Sequence, residues 1–293
     1  MTAFGVSVGL ARELEIRTAR RDELLEQLNS SSSLENWILD SNKDIVVEQT
    51  RKVCRLMPCG ARVLDVGFGV GFSSMELGRH GYLVTGVEPS PVNIEVASRA
   101  AEKFGLNFTG VLSTAEEMSN WVKGPFDAVY FNSSLHHCDD PQKALENAYA
   151  LLASGGLVIL VEPTLKPWRT KSWFFKRLEA DPIAMGHYGG NEHIYYNWEY
   201  DRMLRRSGFT QISYSPILAE MDLRSYIVMK VQRKTNNEFT HSLMGIAARS
   251  AYYAVMDKAS QMLLTGALFK RLSLGDGLWT ARRGGQNQRL GTD

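Results

Sequence analysis

The sequence predicts an α/β protein built on one doubly wound, mostly parallel sheet. Three observations carry that expectation. Five short apolar runs alternate with helical stretches from residue 62 onward, which is the rhythm of βαβ units. Three glycines stand at alternate positions directly after the first run. The 293 residues, 44% hydrophobic and 22% charged, have the composition of a folded chain with one large domain or two small ones.

The elements follow in order. Residues 10–28 alternate Arg and Glu at helical spacing and end at the serines 30–33, a linker or N-cap cluster. Segments 34–39 and 45–57 continue as amphipathic helices, stopped by Pro58 and Gly60. Strands are expected at 62–66, 84–88, 107–112, 126–132 and 157–162. Helices are expected between them at 72–80, 91–104 and 141–152, the last two opening on Pro91 and Pro141 at the first turn. Residues 163–196 read as irregular and rich in Trp, Tyr and Gly, followed by a helix at 198–207, a stop at Gly208 and a strand at 209–215. An apolar helix over 241–272, a last strand over 277–282 and a disordered basic tail with Arg282, Arg283 and Arg289 complete the chain.

Charge and cysteines exclude several classes. Lys plus Arg number 33 against 32 for Asp plus Glu, so the net charge of +1 offers no field for many phosphates, and nucleic acid is not expected as a partner. Cys54, Cys59 and Cys138 form neither a disulfide framework nor a paired metal motif, and they read as reduced thiols of a cytoplasmic protein. No basic leader precedes Arg12, so no secretory signal is expected. Charges also break every apolar run before the roughly 20 residues a bilayer span needs. The adjacent His136, His137, Cys138, Asp139 and Asp140 cannot all converge on one ion, so no metal site is expected.

The most informative segment is 63–72, VLDVGFGVGF. Gly67, Gly69 and Gly71 permit positive φ and let a ligand approach bare backbone. The spacing departs from the dinucleotide pattern G-x-G-x-x-G, because Phe72 stands where the third glycine would be. Asp65, two residues before Gly67, would repel a pyrophosphate and attract a cationic amine and sulfonium.

On these residues the chain resembles the class I S-adenosylmethionine-dependent methyltransferases, over about 62–215. The resemblance implies a seven-stranded Rossmann-like sheet whose last strand runs antiparallel between the fifth and sixth. It divides the chain into a helical cover (1–57), a cofactor-binding core with an acceptor-side insertion (58–232, insertion 163–196), and a helical insertion with the last strand and tail (233–293). Asp65, Gly67, Gly69 and Gly71 then border S-adenosylmethionine, and Glu88 in VTGVEPS accepts the ribose hydroxyls. Ala115 and Glu116 face the adenine, with Thr114 in place of the family's usual Asp. Asn132 joins the cofactor-binding set. Ser133-Ser134 follow it where amino-methyltransferases of DNA carry Pro-Pro-aromatic, a further argument against base methylation.

Transfer from a sulfonium is chiefly a matter of alignment, worth about 7–11 kcal/mol. A hydroxyl acceptor gains a further 10²- to 10⁴-fold, roughly, from a placed base. The order Ser-Leu-His-His after the fourth strand, with an acid ending the fifth, is similar to O-methyltransferases of glycosylated natural products and, more loosely, to quinone methyltransferases. That similarity assigns His137 as base and Glu162 as its partner. His136, expected to point away from its neighbour, packs against the cofactor pocket, and the structural alternative for His137 is a cap on the helix at Pro141.

The expected function is methylation of a small-molecule acceptor at a hydroxyl of a sugar or natural-product-like compound. The runner-up is carbon or oxygen methylation of a quinone-type ring. A nicotinamide-dependent oxidoreductase and a catalytically silent nucleotide-binding protein are the alternatives from other classes. Residues 166–177 hold five basic and four aromatic residues without an acid, which fits an anionic acceptor such as a nucleotide-sugar or lipid-linked phosphate, a membrane surface, or a plain surface connector. Residues 186–196, GHYGGNEHIYY, read as a lid or as packing. The sequence leaves the oligomeric state open.

Overall fold

A computed structural model describes residues 7–41, 43–165, 167–182, 185–186, 190–216 and 277–284. The expected apolar helix at 241–272 and most of the tail lie outside the described residues. Four helices lead: α1 (Val8–Ala19), α2 (Arg21–Ser30), α3 (Leu34–Asp40) and α4 (Asp44–Cys54). Then come β1 (Arg62–Val66), α5 (Phe72–Arg79), β2 (Leu83–Glu88), α6 (Pro91–Phe104), β3 (Phe108–Leu112), β4 (Phe126–Asn132), α7 (Pro141–Leu151) and β5 (Leu152–Glu162). The chain closes with α8 (Lys171–Glu179), α9 (Asn197–Arg206), β6 (Phe209–Pro216) and β7 (Gly277–Arg283).

The sheet has seven strands in the order β3-β2-β1-β4-β5-β7-β6. β1 through β5 pair in parallel, and β7 lies antiparallel between β5 and β6, as expected. Burial on both faces explains the runs of Val, Ile and Leu: Val158, Ile159, Leu160 and Val161 of β5 are all buried. The strand order reverses between β1 and β4, so the crevice at their carboxyl ends is the expected ligand position.

Capping follows the sequence signals. Ser33 Oγ accepts from the Asn36 N–H at the start of α3, and Ser90 Oγ accepts from the Asn93 N–H before Pro91. The helical cover is fastened to the sheet layer by charge and by rings. Arg21 makes a two-pronged contact with Glu95 at 2.6 and 2.7 Å, Trp37 packs on Phe72 at 4.3 Å, and Lys103 Nζ donates to the Leu28 carbonyl at 2.7 Å.

Several boundaries differ from the expectation. The helix expected over 10–28 breaks at Arg20 (φ −95°, ψ 4°), which separates α1 from α2. Residues 163–196 are not irregular throughout, because α8 forms there, with Thr170 Oγ1 accepting from the Trp173 N–H. Arg282 and Arg283 belong to β7 and not to a loose tail: Arg283 donates to the carbonyls of Ala150 and Leu152. Among the described residues, no helix is long and apolar enough to cross a membrane.

Candidate active site

The carboxyl ends of β1, β2 and β4 open into a cavity of about 1340 Å³. Its wall includes Gly67, Phe68 and Gly69 from the first turn, Glu88 from β2, and Ala115 and Glu116 after β3. Asn132 and His137 line the end beyond β4, and Leu10, Glu13 and Arg17 of α1 close the cavity from above.

The turn after β1 is shaped by close approach. Gly67 has φ +69°, and a Cβ there would lie 2.5 Å from Ser134 Cβ. Gly71 caps α5 at φ +98°, and a Cβ there would meet Ala97 Cβ at 2.8 Å, so this glycine serves helix packing and does not line the cavity. Asp65 is not on the cavity wall either. It is fully buried, and its Oδ2 accepts from the hydroxyls of Ser73 at 2.8 Å and Ser74 at 2.7 Å. Burial pushes its carboxyl up to about 6. These contacts pin the first turn of α5 to β1, so Asp65 and Gly71 form the turn whose backbone borders the cavity.

Glu88 ends β2 with three donors already in place. Oε2 accepts from the Gly69 N–H at 3.0 Å, while Oε1 accepts from the Ser90 N–H at 3.2 Å and Asn93 Nδ2 at 2.9 Å. Burial raises its pKa against the pull of the Asn93 and Gly69 donors. A carboxylate has about four acceptor sites, so a ribose hydroxyl finds room on Oε2, whereas Oε1 is already filled. The loop after β3 is set by Asn147 of α7, whose Nδ2 donates to the carbonyls of Ala115 at 3.1 Å and Glu116 at 2.6 Å. Asn132 presents a buried amide with neither Nδ2 nor Oδ1 hydrogen-bonded. An orphaned donor and acceptor on a cavity wall is what a polar ligand would complete, and with Glu88 opposite, the residues fit S-adenosylmethionine.

At the other end, His136 and His137 lie in a 3₁₀ turn (Leu135–His137). Glu162 is the partner of His136, not of His137 as the sequence reading had it. Its Oε2 lies 2.6 Å from His136 Nδ1, and its Oε1 accepts from the N–H groups of Ser134 at 3.0 Å and Leu135 at 2.8 Å. The tight turn keeps the two imidazoles together, with centroids 4.1 Å apart, where the expectation had them pointing apart. His136 is buried behind the wall, and His137 lines the cavity. His137 does not cap α7, because Asp140 Oδ1 accepts from the Lys143 N–H at that end.

Residues the sequence reading did not single out complete this end. His137 Nδ1 lies 2.5 Å from the Asn191 carbonyl, and Asn191 Nδ2 donates to Glu13 Oε2 at 2.9 Å. Glu192 sits 3.3 Å from His136 Nε2 and 3.9 Å from His137 Nε2. Ligand atoms of His136, His137 and Glu192 all fall within 4.8 Å of one another, a grouping the expectation of no metal site did not foresee. Burial alone would lower the His136 pKa, but the carboxylates of Glu162 and Glu192 raise it to about 10. His137 goes the other way, lowered by burial and by the neighbouring positive charge. No local signal marks Glu13 or Glu192, because each is brought in by a distant segment; only the reading of 186–196 as a lid or as packing points to the loop that carries Glu192.

The insertion presents an apolar and basic face. Trp168 is 57% exposed, Trp173 and Phe175 are each 37% exposed, and the Arg169 guanidinium lies 4.2 Å over the Trp173 ring.

Comparison with known proteins adds the family. A methyltransferase domain family matches residues 64–160. A ubiquinone biosynthesis O-methyltransferase of Caulobacter sp. (strain K31) is 39% identical over 101 residues, covering 34% of this chain and 40% of that protein. The protein of the same name from Psychrobacter arcticus is 30% identical over 194 residues, covering 62% of this chain and 74% of that protein. The chain thus spans about two fifths of the Caulobacter relative's length and about three quarters of the Psychrobacter one's. Among solved structures, geranyl diphosphate C-methyltransferase from Streptomyces coelicolor A3(2), in complex with Mg²⁺, geranyl diphosphate and S-adenosyl-L-homocysteine, superposes with a TM-score of 0.57 at 16% identity, over 86% of this chain and 84% of that one. That likeness speaks for the fold. With the domain match over 64–160 and the Psychrobacter arcticus relative covered over about three quarters of its length, the chain belongs to the class I S-adenosylmethionine-dependent methyltransferases.

Proposed function

We propose that this chain transfers a methyl group from S-adenosylmethionine to a hydroxyl oxygen on a quinone-type ring. The names of the curated relatives favour this over the sugar hydroxyl first expected from sequence. The observation that carries the reading is the His137 imidazole on the cavity wall, its pKa lowered by burial and by His136.

S-adenosylmethionine, when bound, supplies a methyl group already activated on a sulfonium. The chain holds it through the backbone of Gly67 and Gly69, the Glu88 carboxylate and the Asn132 amide. A phenolic hydroxyl ionises near pH 10, so a group that takes its proton speeds attack. The Asn191 carbonyl holds Nδ1–H of His137, leaving Nε2 as the basic nitrogen. His136, kept as an imidazolium by Glu162 and Glu192, disfavours a second proton on its neighbour. Glu162 therefore positions this end through His136 and the turn that carries it. The Glu13–Asn191 contact joins α1 to the loop that holds His137. A lipophilic ring substrate would be met at a membrane surface, for which the exposed rings and cations of α8 are suited.

Incubation of the chain with methyl-labelled donor and a panel of demethylated ring phenols and sugar alcohols tests the reading. Label recovered in an aryl methyl ether is expected. Label only in a sugar ether, or in no acceptor, would overturn it.

A further inference from the structure

We propose that His136, His137 and Glu192 form a binding site for one divalent first-row transition-metal ion at the acceptor end of the cavity. Three independent features of the geometry lead there.

The first is orientation. Each imidazole has its Nδ1 engaged, His136 with the Glu162 carboxylate at 2.6 Å and His137 with the Asn191 carbonyl at 2.5 Å. Holding one ring nitrogen by a carboxylate or carbonyl is how proteins fix a metal-binding histidine so that the other nitrogen carries the lone pair. The two Nε2 atoms then converge on one carboxylate, that of Glu192, at 3.3 and 3.9 Å. Ligand atoms around an ion at about 2.0–2.1 Å stand roughly 3.3 Å apart, so small side-chain adjustments would close the set.

The second is placement of Glu192 by its neighbours. The His193 N–H donates to the His136 carbonyl at 3.1 Å, and Asn191 Nδ2 approaches the His137 carbonyl at 3.4 Å. The residues on either side of Glu192 are thereby tied to the turn that carries both histidines.

The third is charge. Two carboxylates, Glu162 and Glu192, converge on the paired imidazoles in a largely buried cluster. A divalent ion held there would offset the charge of both carboxylates. Two imidazoles and one carboxylate with positions left open suit such an ion better than Mg²⁺ or Ca²⁺, which take oxygen sets.

His137 is on the cavity wall, so the ion's remaining positions would be reached from the acceptor side. On the quinone-type reading, an acceptor hydroxyl on the ion would lose its proton near neutrality, the task otherwise left to the His137 imidazole.

The test is a titration of the chelator-stripped full chain with Co²⁺ alone, read by visible absorption and by thermal melting. One Co²⁺ per chain and a higher melting midpoint are expected. Glu192→Gln and His137→Asn should each weaken uptake at least tenfold while keeping the metal-free melting curve of the parent. His80→Gln, which alters an exposed imidazole at the C-cap of α5, should leave uptake unchanged. Absent uptake, or uptake indifferent to Glu192→Gln and His137→Asn, would overturn the site and leave a proton-held network in its place. Because neither donor nor acceptor is in the titration, its failure is separate from failure of the quinone-type reading.

Discussion

Glu76 and Glu162 are both carboxylates with no measurable exposure, yet guanidiniums dominate the first one's partners and are missing from those of the second. Glu76 of α5 takes Arg51 Nε at 2.8 Å, Arg79 Nη2 at 2.7 Å and His80 Nε2 at 3.1 Å, and Arg79 also reaches Glu35 of α3. Glu162 takes two backbone N–H groups and one imidazole. A guanidinium is charged at every accessible pH, so the Glu76 cluster is a fixed fastening between the cover and the sheet layer. An imidazole can gain or lose its proton, so the Glu162 cluster can take part in chemistry. The lesson is that burial of an acid does not mark a site: Glu76 answers two guanidiniums at the cover, whereas Glu162 holds the turn that presents His137 to the cavity.

The largest effect expected from breaking this contrast lies at the catalytic end. His137→Ala should lower turnover by about 10²- to 10⁴-fold, with affinity for S-adenosylhomocysteine little changed; calorimetry and single-turnover rates separate the two. Normal turnover in that variant would remove His137 from the mechanism. Next in size, Glu76→Gln should cost about 3 kcal/mol of stability in denaturant titration. That is the low end for breaking a buried pair, because its guanidinium partners are partly solvated. Turnover per folded molecule should stay the same, and a loss there would dissolve the distinction between the two acids.

Asn132→Ala is expected to weaken cofactor binding by about tenfold, as loss of hydrogen bonds to one polar ligand group does, without moving the melting midpoint. Unaltered affinity would show that the orphaned amide faces something other than the cofactor.

The smallest expected effect is a difference in pH limbs. Burial pushes Glu76 up, but Arg79 and Arg51 more than reverse this, so its folded pKa lies below the ordinary 4.5. Its contribution to stability is present above 4.5 and fades as acid takes the pH through the lowered value. His136 is raised from 6.5 to about 10, so its contribution is complete below 6.5 and fades as the pH climbs through about 10. Melting curves across pH should therefore lose the acid limb in Glu76→Gln and the alkaline limb in His136→Asn. The same limb lost in both variants would mean that the two clusters are not independent.

The cofactor end was the legible one. The alternation of apolar runs, the glycines at 67, 69 and 71, the acid at 88 and the amide at 132 are all local, and local pattern fixes strand, turn and strand end. What the pattern could not show is which of these residues reach the cavity. Asp65 and Gly71 sit in the same motif as Gly67 and Gly69, but Ser73, Ser74 and Ala97 claim them for packing. The break at Arg20 and the helix at Lys171–Glu179 were also hidden, since both depend on docking against the rest of the chain.

From its sequence alone this protein was determined as a parallel α/β chain with a glycine turn and an acid-tipped second strand, because side-chain periodicity and positive-φ positions are properties of neighbouring residues. Tertiary structure alone decided that Glu162 belongs to His136 and that Glu13, Asn191 and Glu192 meet at His137. Those contacts join segments from 26 to 178 residues apart, and the geometry of long loop closures is set by packing of the whole fold and not by the residues at its ends.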